Sequence, residues 1–248
     1  MGISKRIGWA WSFACVALCM AMGTASAETL QVGISDSAPI MYVDKSSGQA
    51  TGFAVEVLRG VLKQTGMTAD VHLLPFASLL SALDAGKLDM VIMSPSTERR
   101  KSADFTQAFT RYGETLVVPD SDKTAYTSIA QLGHKQVGST ASGGWANAAK
   151  QAGATLVPFK TVADALAALR DHKLDAVVGN RPSYAYLLKT GNYPGLHMVA
   201  SYKPTQFNEL SFAFRKGDKR LAVVDAALAK YKQGPEIGTL ATKWGFER

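Results

Sequence analysis

Two positively charged side chains, Arg99 and Arg100, stand just behind a cluster of hydroxyls (Ser94, Ser96 and Thr97) in the stretch VIMSPSTERRKSADFT. The chemistry on offer is recognition of an anion. A guanidinium presents a planar fork of donors that matches the two oxygens of a carboxylate. Ser94 before Pro95 reads as a helix N-cap with proline at the first helical position, and free backbone N–H groups at such a start also favour negative charge. The residues alone leave a plainer reading open, in which Ser94 only caps a helix and Arg99 pairs with a surface acid. Arg100, one step round the same helix, is expected in solvent.

Other chemistries find little in the chain. The histidines His72, His134, His172 and His197 are far apart and lack metal-ligand spacing, and His134 and His172 look like turn residues. There is no Gly-x-Ser-x-Gly nucleophile motif and no phosphate-binding Gly-Lys-Ser/Thr loop. No metal and no cofactor is expected. The formal charge is +7, but lysines and arginines are scattered among acids rather than gathered in a stripe, so nucleic acid is not expected as a partner.

The start of the chain carries an address. Lys5 and Arg6, a long apolar stretch and the small-residue end Ala25-Ser26-Ala27 form the pattern of a secretory signal peptide, residues 1–27, cleaved after Ala27. A retained anchor is the plainer alternative, and bulky Leu18 argues against lipid attachment at Cys19. Both cysteines, Cys15 and Cys19, leave with the signal, so the exported, periplasmic chain has no disulfide and no thiolate chemistry. With 47% hydrophobic and 19% charged residues, the remainder is globular and holds together by its core.

The elements that must position Ser94 and Arg99 occur twice. SLLSALDAGKLDMVIMS (78–94) aligns without gaps on DALAALRDHKLDAVVGN (164–180), with Leu80/Leu166, Ala82/Ala168, Leu83/Leu169, Lys87/Lys173, Leu88/Leu174, Asp89/Asp175 and Val91/Val177 identical. Each copy reads as an amphipathic helix, a tight turn and a short buried strand. Each also follows a matching strand fragment, QVGIS at 31–35 and QVGST at 136–140. The expected elements of the first copy are a strand at 30–35, a helix near 54–66, a strand at 70–75, a helix at 77–85 and a strand at 89–93. Those of the second are a strand from 136, a helix near 144–152, a strand at 155–159, a helix at 162–170 and a strand at 174–178. Alternating strands and helices imply an α/β chain of two lobes with parallel-rich sheets flanked by helices. Ligands sit beyond the carboxyl ends of such strands, which places Ser94 and Asn180 on opposite walls of a cleft between lobes. TLVVP (115–119) and LSFAFRKG (210–217) are expected to cross between the lobes as hinge strands. Lobe 1 is then 28–112 with 210–248, lobe 2 is 113–209, and the helical end, 218–246, packs on the first lobe.

Taken together, TGFAVEVLRGVLKQTG (51–66), the 78–106 and 165–180 segments, FAFRKGDKRL (212–221) and GTLATKWGF (238–246) resemble the bacterial extracellular solute-binding proteins of family 3, the amino-acid-binding components of ABC importers. The resemblance spans essentially all of 28–248. It implies the two-lobe, type II periplasmic-binding-protein fold, a small carboxylate-bearing ligand clamped between the lobes, an ABC permease as partner and a monomer. Carried onto this chain, it makes Ser94 and Arg99 the carboxylate grip. Phe76 becomes the apolar cover, although a core phenylalanine is the alternative there.

Several positions depart from the family pattern. The aromatic side chain before the first proline becomes Ser37, which removes one stacking wall unless Tyr42 moves in. A small residue two places before the hydroxyl becomes Ile92, whose backbone carbonyl can still accept. The second-lobe anion loop reads Ser142-Gly143-Gly144, keeping backbone donors and losing two hydroxyls. Asn180 replaces the aspartate that holds the ligand's α-ammonium. Exchanging a charged hydrogen bond for a neutral one weakens such a ligand by roughly 1–2 kcal/mol, on the order of tenfold. Arg181 opposes an ammonium further if it points inward. The expected ligand is therefore an organic anion or an amino-acid derivative without a free α-ammonium.

Two other functions fit the same scaffold. One is a periplasmic enzyme of the cyclohexadienyl dehydratase kind, for which Glu114 is the acid to nominate, although a hinge salt bridge suits it better. The other is an accessory or sensor protein that reports its ligand to a separate partner. Binding without catalysis is the expected activity.

Overall fold

The computed structural model describes residues 27–140 and 144–246. Residues 1–26 of the expected signal peptide lie outside these. The chain begins with β1 (Thr29–Ile34), a small pair β2 (Tyr42–Val43) and β3 (Ala50–Thr51), then α1 (Phe53–Thr65), β4 (Thr68–Leu73), α2 (Leu79–Asp84) and β5 (Met90–Met93). It continues through α3 (Arg99–Ser102), β6 (Ala103–Phe105), β7 (Thr110–Pro119), β8 (Gln136–Thr140), α4 (Gly144–Gln151), β9 (Thr155–Phe159), α5 (Val162–Arg170) and β10 (Ala176–Asn180). It ends with α6 (Arg181–Thr190), β11 (Leu196–Met198), β12 (Phe207–Arg215), α7 (Arg220–Tyr231) and α8 (Glu236–Trp244).

The sequence repeat is a structural device used twice. Gly33 faces Val91 across β1 and β5, and Gly138 faces Val177 across β8 and β10, both in parallel register. In the first copy the Asp89 N–H donates to the Gln31 carbonyl at 2.8 Å, and the Gln31 N–H donates to the Asp89 carboxylate at 2.9 Å. Asp175 and Gln136 repeat the exchange at 2.9 and 2.7 Å. A Cβ on Gly33 would lie 2.5 Å from Cδ1 of Leu88, and one on Gly138 2.6 Å from Cδ1 of Leu174. The matched Gln-Val-Gly and Lys-Leu-Asp triplets therefore dock on each other, carboxylate to N–H and leucine over glycine. Gly138→Ala is expected to lower stability by about 1–3 kcal/mol through overpacking, read as a lower midpoint in urea denaturation.

The same register puts the turn residues Gly86 and His172 in equivalent places, with φ of 71° and 57°. His134 is also left-handed, at φ 65°. Both histidines are turn residues, as expected.

Parallel strands β4-β1-β5 form one half of the sheet run and β10-β8-β9 the other. Between them β12 and β7 run antiparallel. The second half of β12 pairs with β5, its first half pairs with the start of β7, and the rest of β7 pairs with β10. The chain thus crosses twice between two lobes. In the first, α1 packs on the sheet with Val224, Leu228 and Trp244 of α7 and α8, so the helical end does return there. The second has its own apolar clusters around Leu116, Val137 and Val178, and around Leu166 and Tyr184. No helix among the described residues is long and apolar enough to cross a membrane.

Two local expectations need correction. The strand expected at 174–178 runs from Ala176 to Asn180, two residues later, with Asn180 at its carboxyl end. The helix expected at Pro95 starts only at Arg99 and is four residues long.

Candidate functional site

Ser94 follows β5 directly, and the proline after it biases Ser94 away from helical backbone. The N-cap position is Glu98, which makes no side-chain capping bond, and Ser96 serves the turn before it. The Ser96 Oγ accepts from the Arg99 N–H at 3.3 Å and its carbonyl from the Arg100 N–H at 2.9 Å. Ser94 contributes its carbonyl, which accepts from Nη1 of Arg99 at 2.7 Å. That bond folds the guanidinium back towards the strand end. On another side, the Arg99 guanidinium carbon lies 4.9 Å from the centre of the Phe76 ring.

Phe76 is 48% exposed and opens a short 3-10 turn before α2. It is therefore not a core phenylalanine. An exposed ring stacked on a guanidinium forms a platform with donors on one edge, suited to a planar carboxylate beside an apolar group. Arg100 is exposed and rests over Phe105 instead.

Ile92 does not line this site with its side chain, which is fully buried in the first-lobe core opposite Phe212. β5 is buried on both faces, and a strand of that kind gives no alternation from which to read side-chain direction.

Across the cleft, Asn180 ends β10 and caps α6. Its side-chain Oδ1 accepts from the Ser183 N–H at 2.9 Å, with Pro182 fixing the first turn. Gly179 before it leaves room for the Tyr184 ring, 2.5 Å from where a Cβ would stand. Ser183, 3% exposed, reaches the other lobe, where its Oγ donates to the Ala38 carbonyl at 2.8 Å. Ala38 adjoins Ser37, which is half-buried and exchanges backbone hydrogen bonds with Met41 in a turn. Ser183 thus ties the turn at Asn180 to Ala38, the neighbour of Ser37, and the guanidinium ties Arg99 to Ser94 and Phe76. Ser142 and Gly143 lie outside the described residues, and Gly144 begins α4 beyond the end of β8.

Ser183 is a residue beside the candidate site that the repeat does not reveal. The signal available was the Asn-Arg-Pro-Ser spacing of an N-cap followed by proline. Tyr186 of the same helix lies against Trp244, ring centres 6.0 Å apart, and Trp244 meets Tyr42 at 6.2 Å. Tyr42 therefore packs on α8 and α6. Burial, and then Tyr186 beside it, pushes its phenol pKa well above the ordinary value. Ser183→Ala is expected to weaken ligand-driven closure about fivefold, since a neutral hydrogen bond contributes about 1 kcal/mol. Ligand titration followed by scattering reads this.

Arg181 lines a different space. It belongs to a cavity of about 910 Å³ beside the hinge strands, with Phe109, Tyr112, Phe207 and Phe246. None of Ser37, Phe76, Ile92, Ser94, Arg99 or Asn180 lines that cavity. Glu114 is 1% exposed and makes no salt bridge among the described residues. It accepts from Tyr202 Oη (3.2 Å), Thr205 N (2.7 Å), Thr205 Oγ1 (3.0 Å) and Gln206 N (3.1 Å), so hydrogen bonds replace the hinge ion pair expected of it. His72 pairs with Gln31 and His197 with Asp120. Among the described residues no three His, Cys, Asp or Glu side chains are grouped to hold a metal.

The chain matches the model of the bacterial extracellular solute-binding proteins, family 3, over residues 30–247. The chain belongs to that family. It is 27% identical over 209 residues to the "Probable amino-acid ABC transporter-binding protein" of Haemophilus influenzae, covering 83% of this chain and 77% of that one. Of solved structures, it is similar to the ancestral amino acid-binding protein AncCDT-1, a precursor of cyclohexadienyl dehydratase, with 28% identity and a TM-score of 0.70 over 87% of this chain and 94% of that one. It is also similar to the L-cystine solute receptor of Neisseria gonorrhoeae in its unliganded open conformation, with 25% identity and a TM-score of 0.71 over 88% and 92% of the two chains. The family assignment and these likenesses carry the type II binding-protein fold with them.

Proposed function

We propose that the protein captures a small carboxylate-bearing solute between its lobes in the periplasm and presents it, as a monomer, to the permease of an ABC importer. The observation that carries this reading is the Arg99 guanidinium held between the Ser94 carbonyl and the exposed Phe76 ring at the carboxyl end of β5. Ser94, Arg99 and Phe76 form the first-lobe grip. Asn180 and the Ser142–Gly144 segment approach from the other side on closure, while Ser37 stands on the first lobe beside Ala38, where Ser183 fastens the two walls. The lobe division at 28–112 with 210–248 against 113–209 is supported by the separate apolar clusters on either side of the hinge strands. Export through the signal peptide 1–27 is supported by the family's extracellular character.

Binding rather than catalysis is the activity proposed. Supporting it, the one acid nominated for dehydration, Glu114, has its oxygens engaged by four donors of 202–206. A thermal-shift screen of amino acids and organic acids tests the reading. A carboxylate at a hundred times its Kd is expected to add about 2.7 kcal/mol to stability. Shifts from uncharged solutes alone would contradict it, and so would turnover of prephenate.

A further inference from the structure

The cavity of about 910 Å³ beside the hinge strands stands apart from the cleft residues and has a composition of its own. Its floor is aromatic. Phe53 and Phe246 stack with ring centres 4.1 Å apart, Tyr112 meets Phe246 edge-on at 5.8 Å, and Phe109 lies 6.3 Å from Phe53. The rings come from α1, from β7 and the residue before it, and from the chain beyond α8, so only the assembled fold brings them together.

The rim is cationic. Arg111, Arg181 and Lys232 line the cavity, and among the described residues no carboxylate does. The arginines that pair with carboxylates are Arg170, Arg215 and Arg220, and neither Arg111 nor Arg181 is among them. The Arg111 guanidinium lies over the exposed Phe207 ring, 3.8 Å from its centre, which holds its plane and leaves the donors on its edge. Lys232 donates to neutral oxygens, Oε1 of Gln107 at 3.0 Å and the Ala108 carbonyl at 2.8 Å. Glu209 stands opposite Arg111 in the register of β12 and β7, but it is exposed and does not line the cavity. Positive charge thus surrounds an apolar floor with no counter-charge among the described residues.

One glycine keeps the space open. Gly238 lies inside α8 and lines the cavity, and a Cβ there would meet nothing within 4 Å. Glycine weakens a helix interior, and close packing is the usual reason for it. Packing does not require it here, and what the missing side chain provides is room.

We propose that the hinge cavity is a second binding site, for an aromatic acid of two or three rings, separate from the cleft that holds the carried solute. Flat rings stack on the Phe53–Phe246 floor, and the acid group meets the forks of Arg111 and Arg181 at the rim. The volume is that of sites for small organic ligands.

The test uses Arg99→Ala, so that the cleft grip takes no part. The probes are 2-naphthoate, its neutral counterpart 2-naphthamide, and octanoate, an acid without rings. Calorimetry is expected to show 2-naphthoate binding about tenfold more tightly than the amide, the difference between a charged and a neutral hydrogen-bond partner. It should also bind several-fold more tightly than octanoate. Adding Gly238→Phe fills the cavity from α8 and is expected to abolish binding while the ligand-free melting temperature is retained. Adding Arg111→Ala and Arg181→Ala instead keeps the cavity and is expected to bring acid and amide to equal affinity, which decides the matter if Gly238→Phe does not fold. No binding of 2-naphthoate to Arg99→Ala would overturn the inference. So would equal affinity for the amide or for octanoate, or binding that either set of added substitutions leaves unchanged. Failure of the cleft grip shows separately, as solute affinity in the native protein that does not depend on Arg99, and leaves the hinge site as it stands.

Discussion

Glu114→Ala is expected to lower the stability of the protein by about 3–5 kcal/mol, the range for breaking a buried polar network. The substitution leaves four donors without their acceptor: the buried Tyr202 hydroxyl, and the part-buried Thr205 N–H and hydroxyl and Gln206 N–H. These donors sit on the segment that leads into β12, and Pro204 packs against Gly113 of β7 beside them, 2.5 Å from where a Cβ would be. Glu114 therefore fastens the two crossing strands at the point where the lobes pivot. Burial, and after it the neighbouring carboxylate, holds the Tyr202 phenol protonated, with its pKa pushed above the ordinary range. Glu114→Gln keeps one acceptor oxygen and is expected to recover about half of the loss. Denaturation midpoints of the two variants read this directly, and equal losses would contradict the four-donor account.

The second large effect belongs to Arg99. Arg99→Ala removes the fork that meets the ligand carboxylate, and hydrogen bonds to a charged partner contribute about 1.5–3 kcal/mol each. A loss of about 3 kcal/mol, on the order of a hundredfold in Kd, is expected. Closure stabilised by contacts made only in the closed form goes with it. The fold should survive. Arg99 is not in the core, its bond to the Ser94 carbonyl is only part-buried, and Phe76 is already exposed. Thermal denaturation without ligand should therefore be nearly unchanged, which separates lost binding from lost folding. Arg99→Lys keeps a charge without the planar fork and should recover only part of the affinity.

Much of this architecture was legible in the sequence because the same residues do the same work twice. Leucine over glycine and aspartate to the N–H of glutamine are contacts between the very triplets that repeat, so aligning the copies also aligned the strands. What escaped had partners distant in sequence or a direction that sequence does not carry. Glu114 meets donors around residue 205, and nothing local marks them. Ile92 sits in a strand buried on both faces, so its inward side chain could not be told from an outward one. The Ser-Pro pair suggested a helix start, but Ser96 captured the first N–H groups and moved the start to Arg99. At Asn180 the residue type was legible and its orientation was not, because only the bond to Ser183 shows which amide atom caps α6.

The most direct test is a crystal structure of the protein holding the solute it carries when purified from the periplasm. The account predicts a carboxylate on the guanidinium of Arg99, covered by Phe76, with Asn180 closing from the second lobe. A solute bound elsewhere, for example in the hinge cavity beside Phe207 and Phe246, or one held without contact to Arg99, would contradict it.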